Sequence, residues 1–215
     1  MKIGVFDSGI GGLSVANALK KALPGEEIIF KNDAIHVPYG TKSPEQLLTW
    51  VPPILNELIS DGCGLIVIAC NTVSTTIIDE LRKIISVPLI NVEPMVKEAA
   101  GLTKSGVIAV CATRATIGSH RYAALKREFA ENLKVLEPDC SDWVLMIEKD
   151  EVDNRKLKTT IDSVCEAGAD VIVLGCTHYH WVEELVTSFA RNRALIIQPE
   201  QTVIKQVRQA IGQLA

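Results

Sequence analysis

Two cysteines of the sequence each stand directly after an apolar run and directly before polar residues. The segments GCGLIVIACNT (62–72) and GADVIVLGCTH (168–178) align without a gap. In both, a glycine ends a helix, apolar residues form a buried strand, and a cysteine follows, Cys70 in the first and Cys176 in the second. Polar pairs come next, Asn71-Thr72 and Thr177-His178. A core would not select such neighbours, so both thiols are candidate reagents.

The other four cysteines are predicted to fill the core. Free cysteine is among the most buried residue types and behaves as a small hydrophobe. Neither a CxxC pair nor another zinc spacing is present, and the i, i+2 spacing of His178 and His180 is not that of a helical metal site. No metal is therefore expected. The cysteines concerned are Cys63, Cys111, Cys140 and Cys165.

The two candidate thiols suit an inversion at carbon. Ligands of open parallel sheets bind beyond the carboxyl ends of the strands, where both cysteines fall. If they approach one ligand from opposite sides, one thiol removes a proton and the other returns one to the opposite face. A thiol of pKa about 8.5 is far less basic than a carbanion, so the site must stabilise the intermediate electrostatically and exclude water. Asp7 near Cys70 and His178 near Cys176 are placed to assist.

A glycine-rich loop follows the first strand in KIGVFDSGIGGLS (2–14). Its glycines allow a sharp turn and expose amides at a helix start, which serves a carboxylate as readily as a phosphate. The nucleotide alternative is weaker, because the third glycine of GxGxxG and a Walker-type GK[ST] are both missing. The loop could also be the phosphate loop of an actin-like ATPase or a sugar kinase, but that interpretation gives the second thiol segment no role. The two thiol segments therefore favour an amino-acid ligand.

Short apolar runs alternate with segments of helical period, which predicts an α/β chain with parallel strands. A helix over 44–61 should begin at Ser43 as N-cap with Pro44 at its first position, and Pro52 and Pro53 should kink or split it. The predicted strands are 3–6, 28–30, 65–69, 89–92, 107–110, 171–174 and 195–197. The other predicted helices are 12–22, 75–85, 116–130, 154–167, 181–190 and 200–213.

The chain also carries a short internal repeat. Besides the two cysteine segments, IGVFDS (3–8) falls on IAVCAT (108–113). This pattern predicts two pseudo-symmetric α/β lobes, each a mainly parallel sheet flanked by helices, with the active site in the cleft between them. The apolar strand that ends in Asn91–Pro94 is the expected boundary, which makes the first lobe 1–94 plus 198–215 and the second lobe 95–197.

Composition excludes several classes of partner. The 215 residues include 22 basic and 26 acidic side chains without blocks of one sign, for a net charge of −4. We therefore expect neither nucleic acid nor a membrane surface as partner, but a small molecule. Residues 1–20 lack the features of a signal peptide, and no apolar stretch is long enough to span a bilayer, so a cytoplasmic protein is expected.

Five motifs together resemble those of cofactor-independent glutamate racemases in the aspartate/glutamate racemase superfamily. They are FDSGIGG (6–12), VPYGTKS (37–43), IACNT (68–72), ATRAT (112–116) and GCTHY (175–179). The resemblance implies two α/β lobes, no cofactor, and α-proton exchange that interconverts L- and D-glutamate and supplies the D-isomer for peptidoglycan. A homodimer is one possible assembly.

The resemblance also implies residue roles. Cys70 would act on D-glutamate with Asp7 assisting it, and Cys176 would act on L-glutamate beside His178. The implied substrate contacts are Ser8, Pro38, Tyr39, Gly40, Asn71, Thr72, Thr113, Thr116 and Thr177. Glu148 lies eight positions after a cysteine, as the family's second-lobe glutamate does, and is either that residue or an exposed acid of the run EKDE.

The sequence departs from the family pattern at two places near these motifs. Asp33-Ala34-Ile35-His36 stands where the family has Asp-Thr-Ala-Arg, and His180-Trp181 stands where it has Pro-Leu. The chain is also shorter than typical members. These departures leave two alternatives open: a racemase for aspartate or another amino acid, and a catalytically impaired binding protein of the same fold.

Overall fold

The computed structural model describes residues 1–214 of the chain, which form strands and helices in near-regular alternation. The strands are β1 (Lys2–Asp7), β2 (Glu27–Asn32), β3 (Leu65–Ile68), β4 (Leu89–Asn91), β5 (Val107–Cys111), β6 (Lys134–Leu136), β7 (Val171–Leu174) and β8 (Leu195–Ile197). The α-helices are α1 (Leu13–Ala22), α2 (Pro44–Ser60), α3 (Asn71–Thr76), α4 (Ile78–Ile84), α5 (Val96–Leu102), α6 (Arg114–Ile117), α7 (His120–Phe129), α8 (Trp143–Glu148), α9 (Asn154–Glu166), α10 (Glu183–Ala190) and α11 (Glu200–Leu214). Short 3₁₀ helices are Ile10–Gly12, Tyr39–Thr41 and Thr177–Val182.

The chain forms two compact units. Unit 1 is Met1–Glu93 together with the C-terminal residues from Pro199, and unit 2 is Pro94–Gln198. Unit 1 holds a parallel sheet of order β2-β1-β3-β4, and unit 2 a parallel sheet of order β6-β5-β7-β8. Each strand of the second sheet thus occupies the position of its counterpart in the first. Two parallel sheets flanked by helices confirm the predicted fold class.

In unit 1 the sheet is covered on both faces, as a parallel sheet requires. Alternate residues of β1 point to opposite sides, so Val5 packs with Leu19 of α1 and Val207 of α11, whereas Phe6 packs with Leu55 of α2. All five side chains are fully buried. The carboxyl ends of β1 and β3 lie between these two apolar layers, which hold them in place.

Helix α2 runs unbroken through Pro52 and Pro53, so of the two predicted outcomes, a kink or a split, the split does not occur. Its start is as predicted, with Ser43 and Gln46 forming a capping box before Pro44. Each internal proline removes one backbone donor and leaves one carbonyl of the preceding turn unpaired. Pro53 is exposed and Pro52 is half-buried, so this side of the helix faces water, which can solvate the freed carbonyls.

Unit 2 contains three elements that the sequence pattern did not predict: β6, α5 and α8. Each is short, from three to seven residues, and too brief to show a clear period. Two predicted helices are also divided, 75–85 into α3 and α4 and 116–130 into α6 and α7. Across residues 1–214 no helix is both long and apolar enough to cross a membrane.

Candidate active site

The first thiol lies where β1 and β3 end side by side. Phe6 pairs with Ile68 in this parallel ladder, so the residues that follow the two strands are neighbours. Cys70 is the N-cap of α3, 4% exposed, and its Sγ lies 3.6 Å from Ser8 Oγ. The structure therefore brings Cys70 next to Ser8.

Asp7 is a fully buried carboxylate at the end of β1. Its Oδ2 accepts a hydrogen bond of 2.7 Å from the amide of Gly12. The chain comes so close here that a Cβ on Gly12 would lie 2.4 Å from Asp7 Cβ. The glycine-rich loop thus holds a buried acid, and its last glycine is required by space.

Asn71, the first residue of α3, has an unusual side chain. It is 3% exposed, and neither its Nδ2 nor its Oδ1 has a hydrogen-bond partner within the described structure. A buried amide that lacks partners costs free energy, and such groups are rare in native proteins. One donor and one acceptor are thus available for a ligand beside Cys70.

Tyr39, in the 3₁₀ helix after Pro38 and before Gly40, packs in the same apolar cluster as Cys70. Its hydroxyl donates a 2.6 Å hydrogen bond to Asp33 Oδ2. Burial and this carboxylate raise the pKa of Tyr39, so the phenol stays neutral. Sequence reasoning missed Asp33, although its position directly after β2, at the same sheet edge as Asp7, could have indicated it.

The second thiol is built differently. Cys176 follows β7 and is 8% exposed, and its Sγ lies 3.8 Å from His178 Nδ1. His178 Nε2 lies 2.5 Å from Glu148 Oε1, and the His178 side chain is 2% exposed. Glu148 is the last residue of α8. Its contact with His178 places it against the histidine and not in solvent. A thiol, an imidazole and a carboxylate form a continuous series.

Two threonines of the ATRAT motif cap the start of α6. Thr113 Oγ1 accepts from the amide of Thr116 at 3.2 Å and donates to Thr116 Oγ1 at 3.1 Å. Both are buried at the carboxyl edge of the unit 2 sheet, and so is Thr177 after Cys176. Thr72 is likewise buried, after Asn71 in unit 1.

The remaining cysteines do not resemble reagents. Cys63, Cys111 and Cys140 are buried, and Cys165 is half-buried. A hydrogen bond with Cys111, together with burial, raises the pKa of Cys140, which keeps that thiol protonated. The carbonyl of Cys140 accepts from Tyr179 Oη at 2.9 Å, and Tyr179 packs edge-on against Trp143 of α8. These contacts hold α8, and with it Glu148, in position; the sequence offered no signal for them.

Within residues 1–214 the structure contains no group of three or more acidic, histidine or cysteine side chains placed to hold a metal ion. Each of the two thiols has a polar partner within its own unit, Ser8 for Cys70 and His178 for Cys176.

Comparison with known proteins decides the family. Residues 3–207 match the family model of the Asp/Glu/hydantoin racemases. The chain belongs to this family. A glutamate racemase of Ralstonia pickettii is 35% identical over 98% of the chain and 76% of its own length, and one of Herpetosiphon aurantiacus is 36% identical over 98% and 84%.

Solved structures of family members have the same fold. The glutamate racemase of Escherichia coli, in complex with L-glutamate and the activator UDP-MurNAc-Ala, superposes with a TM-score of 0.89 at 28% identity, covering 97% of this chain and 81% of that one. That of Francisella tularensis with D-glutamate gives 0.82 at 31% identity, covering 99% and 81%. The chain is therefore an isomerase of the racemase type that needs no pyridoxal phosphate, as its motifs predicted.

Proposed function

We propose that the protein is a glutamate racemase that moves the α-proton between two thiols. Relatives of this name cover nearly the whole chain, and two of the solved neighbours hold L- or D-glutamate. The observation that carries the proposal is that Cys70 and Cys176 each lie just after the third strand of their unit against a polar partner, Ser8 for Cys70 and His178 for Cys176.

In the D-to-L direction Cys70 is the base. Its thiolate takes the α-proton of D-glutamate, with Asp7 and Ser8 near it to accept or return the thiol proton. Asp7 Oδ2 accepts a hydrogen bond from the Gly12 amide, which holds the carboxyl group in place. Cys176 then delivers a proton to the opposite face. The mechanism requires that both thiols flank one bound substrate.

In the L-to-D direction Cys176 is the base and His178 assists it. A protonated imidazole next to a thiol favours the thiolate, as in other enzymes that use a cysteine nucleophile. Glu148 accepts a hydrogen bond from His178 Nε2 and stabilises the imidazolium. The two directions therefore use the same chemistry with different assisting groups.

Neutral groups bind the substrate in this proposal. The unpartnered amide of Asn71 can accept from the ammonium group and donate to a carboxylate. The remaining proposed contacts are Ser8, Pro38, Tyr39, Gly40, Thr72, Thr113, Thr116 and Thr177. Hydroxyls and backbone amides can stabilise the developing carbanion without lowering the basicity of the thiolates as strongly as a nearby cation would. The product, D-glutamate, would serve peptidoglycan synthesis in the cytoplasm, where free thiols stay reduced.

The test is exchange of the substrate α-proton in deuterated water. Cys70→Ser and Cys176→Ser should each lower racemisation by a factor of about 10² or more while the fold persists, because serine is a much poorer base at neutral pH. Cys63→Ser is the matched control and should retain activity, because this buried thiol precedes β3, at the end of the strand opposite to Cys70. Full activity in either of the first two variants would remove the mechanism. Aspartate and other amino acids in the same assay test the alternative substrates.

A further inference from the structure

One cluster near Cys70 contains three side chains that the mechanism above does not use, together with the proposed substrate contact Tyr39. It consists of Asp33, His36, Tyr39 and Trp50, and we call it the His36 cluster. His36 is the residue that replaces the arginine of the family motif. The replacement exchanges a permanent cation for a side chain that gains and loses its charge near neutral pH.

The cluster is organised around one carboxylate oxygen. Asp33 is 5% exposed, and its Oδ2 lies 2.7 Å from His36 Nδ1 and 2.6 Å from the hydroxyl of Tyr39. Two donors thus share the same acceptor. The Asp33 amide also donates to the carbonyl of Asp7 at 3.3 Å, which ties the cluster to the end of β1.

Trp50 of α2 holds the histidine from one side. The His36 ring stacks on the Trp50 ring with centroids 3.9 Å apart and an angle of 6° between planes. Lys42 Nζ lies 5.8 Å from the same indole ring. Besides its own Asp33 and Tyr39, the cluster is faced by Lys42 over Trp50 and by Cys70 and Asp7, which interact electrostatically with Tyr39. The His36 side chain is 33% exposed, so protons from solvent reach it.

We propose that His36 is a positioning residue that acts through Asp33 on Tyr39, and that its protonation changes the reactivity of Cys70. The proposal rests on the proposed function. When His36 is protonated it draws the Asp33 charge towards itself and weakens the competing bond to Tyr39. It also cancels the negative charge of Asp33 beside Tyr39, which packs with Cys70, and so favours the thiolate.

The link between His36 and Tyr39 can be tested without turnover. A protonated imidazole stacked on an indole quenches its fluorescence, so Trp50 emission should fall in one step as the pH is lowered. The variant Trp50→Phe, which retains only Trp143 and Trp181, gives the background emission to be subtracted. His36→Asn should abolish the step. In Tyr39→Phe, Asp33 accepts a hydrogen bond from His36 alone and stabilises its protonated form more strongly. The midpoint of the step should therefore move upwards by about half a pH unit or more.

Kinetics test the effect on the reaction. With D-glutamate, kcat should decline about fivefold as the pH is raised and His36 loses its proton. His36→Arg should remove this decline and keep kcat high, whereas His36→Asn, which retains a neutral donor near the Nδ1 position, should give the low value throughout. Lys42→Met is the control for the neighbouring cation and should retain the decline.

The outcomes separate the two proposals. An unchanged fluorescence midpoint in Tyr39→Phe, or equal pH profiles for the wild type and His36→Arg, overturns the role of His36. Absence of any turnover of glutamate overturns the proposed function, whereas a shifted midpoint in that case still supports the coupling of His36 to Tyr39.

Discussion

Replacing Gly12 by alanine tests how the glycine-rich loop holds the buried acid. The backbone of Gly12 has φ −65° and ψ −11°, a conformation that alanine adopts readily, so only space opposes the change. An added Cβ would lie 2.4 Å from Asp7 Cβ and 3.0 Å from Phe30 Cε2. Ordinary carbon contacts are about 3.5–4.0 Å, so loop and strand must separate by about 1 Å.

The expected cost has two parts. Overpacking of a well-filled region costs about 1–3 kcal/mol. Separation also lengthens the 2.7 Å bond from the Gly12 amide to Asp7, and a hydrogen bond to a buried charge contributes about 1.5–3 kcal/mol. Since both arise from one displacement, we expect a total of about 2–4 kcal/mol. At roughly 2–4 °C per kcal/mol, the unfolding midpoint should fall by about 4–16 °C.

Activity should fall further than stability implies. Displacement of a catalytic group by about 1 Å can cost a factor of about 10² in rate. Thermal unfolding followed by circular dichroism gives the first quantity, and α-proton exchange at a temperature where the variant is folded gives the second. Gly212→Ala is the control, because it lies in α11 of the same unit and an added Cβ meets nothing within 4 Å. Equal stability and activity in the two variants would refute the reasoning.

Three further changes probe single groups. Asn71→Ala should keep the unfolding free energy within about 1 kcal/mol, because its amide has no partner to lose, yet raise KM for glutamate at least about tenfold in the exchange assay; a large loss of stability would contradict this. Glu148→Gln should lower kcat for L-glutamate by a factor of about 10–10², because His178 loses its charged partner. A change of the same size in KM, with kcat unaltered, would contradict this and show that Glu148 acts only in substrate binding. Burial raises the pKa of Asp170, but hydrogen bonds from Thr103 and nearby amides outweigh it and lower the pKa to about 2. This carboxylate therefore stabilises the fold above about pH 4 and loses that contribution as the pH falls towards 2, so acid titration of Asp170→Asn by circular dichroism should lack this component.

The sequence sufficed where the chemistry is local to a strand end. Cys70 and Cys176 follow uninterrupted buried strands, and the parallel-sheet rule then places both at a carboxyl edge. It failed where a partner comes from a short element. Glu148 lies on a six-residue helix that has no readable period, so the run EKDE allowed an exposed acid equally well. The Asp33 bonds were missed for another reason: a polar triplet after an apolar strand resembles an ordinary turn until packing shows that its carboxylate is buried.

The prolines of α2 show the converse failure, in which a valid local rule is outweighed by packing. Pro52 and Pro53 each remove a hydrogen bond, but α2 buries Leu47, Val51 and Leu55 against the sheet on its other side. Burial of each such side chain, and of Leu58, contributes about 1.5–3 kcal/mol, or about 6–12 kcal/mol for the four, against a cost of about 3 kcal/mol for each of the two interior prolines. Helix propensity therefore determines whether a segment is helical only where little apolar surface is buried, and not in a helix whose apolar face packs against a sheet.

The two thiol clusters share a position in the fold but not a means of activation. The strand orders of the two sheets correspond strand for strand, and each cysteine follows the third strand of its unit. Cys70 is nevertheless bonded to a hydroxyl next to a buried carboxylate, whereas Cys176 faces an imidazole. The repeat thus specifies where a thiol lies, and the loops that follow the other strands supply its partners. Because an imidazole and a carboxylate respond differently to pH, the two directions of the proposed reaction should have different pH profiles. Because the equilibrium constant between mirror-image substrates is unity, kcat/KM for L-glutamate must equal kcat/KM for D-glutamate at every pH. Any difference between the two kcat profiles must therefore be matched by an equal difference between the two KM profiles.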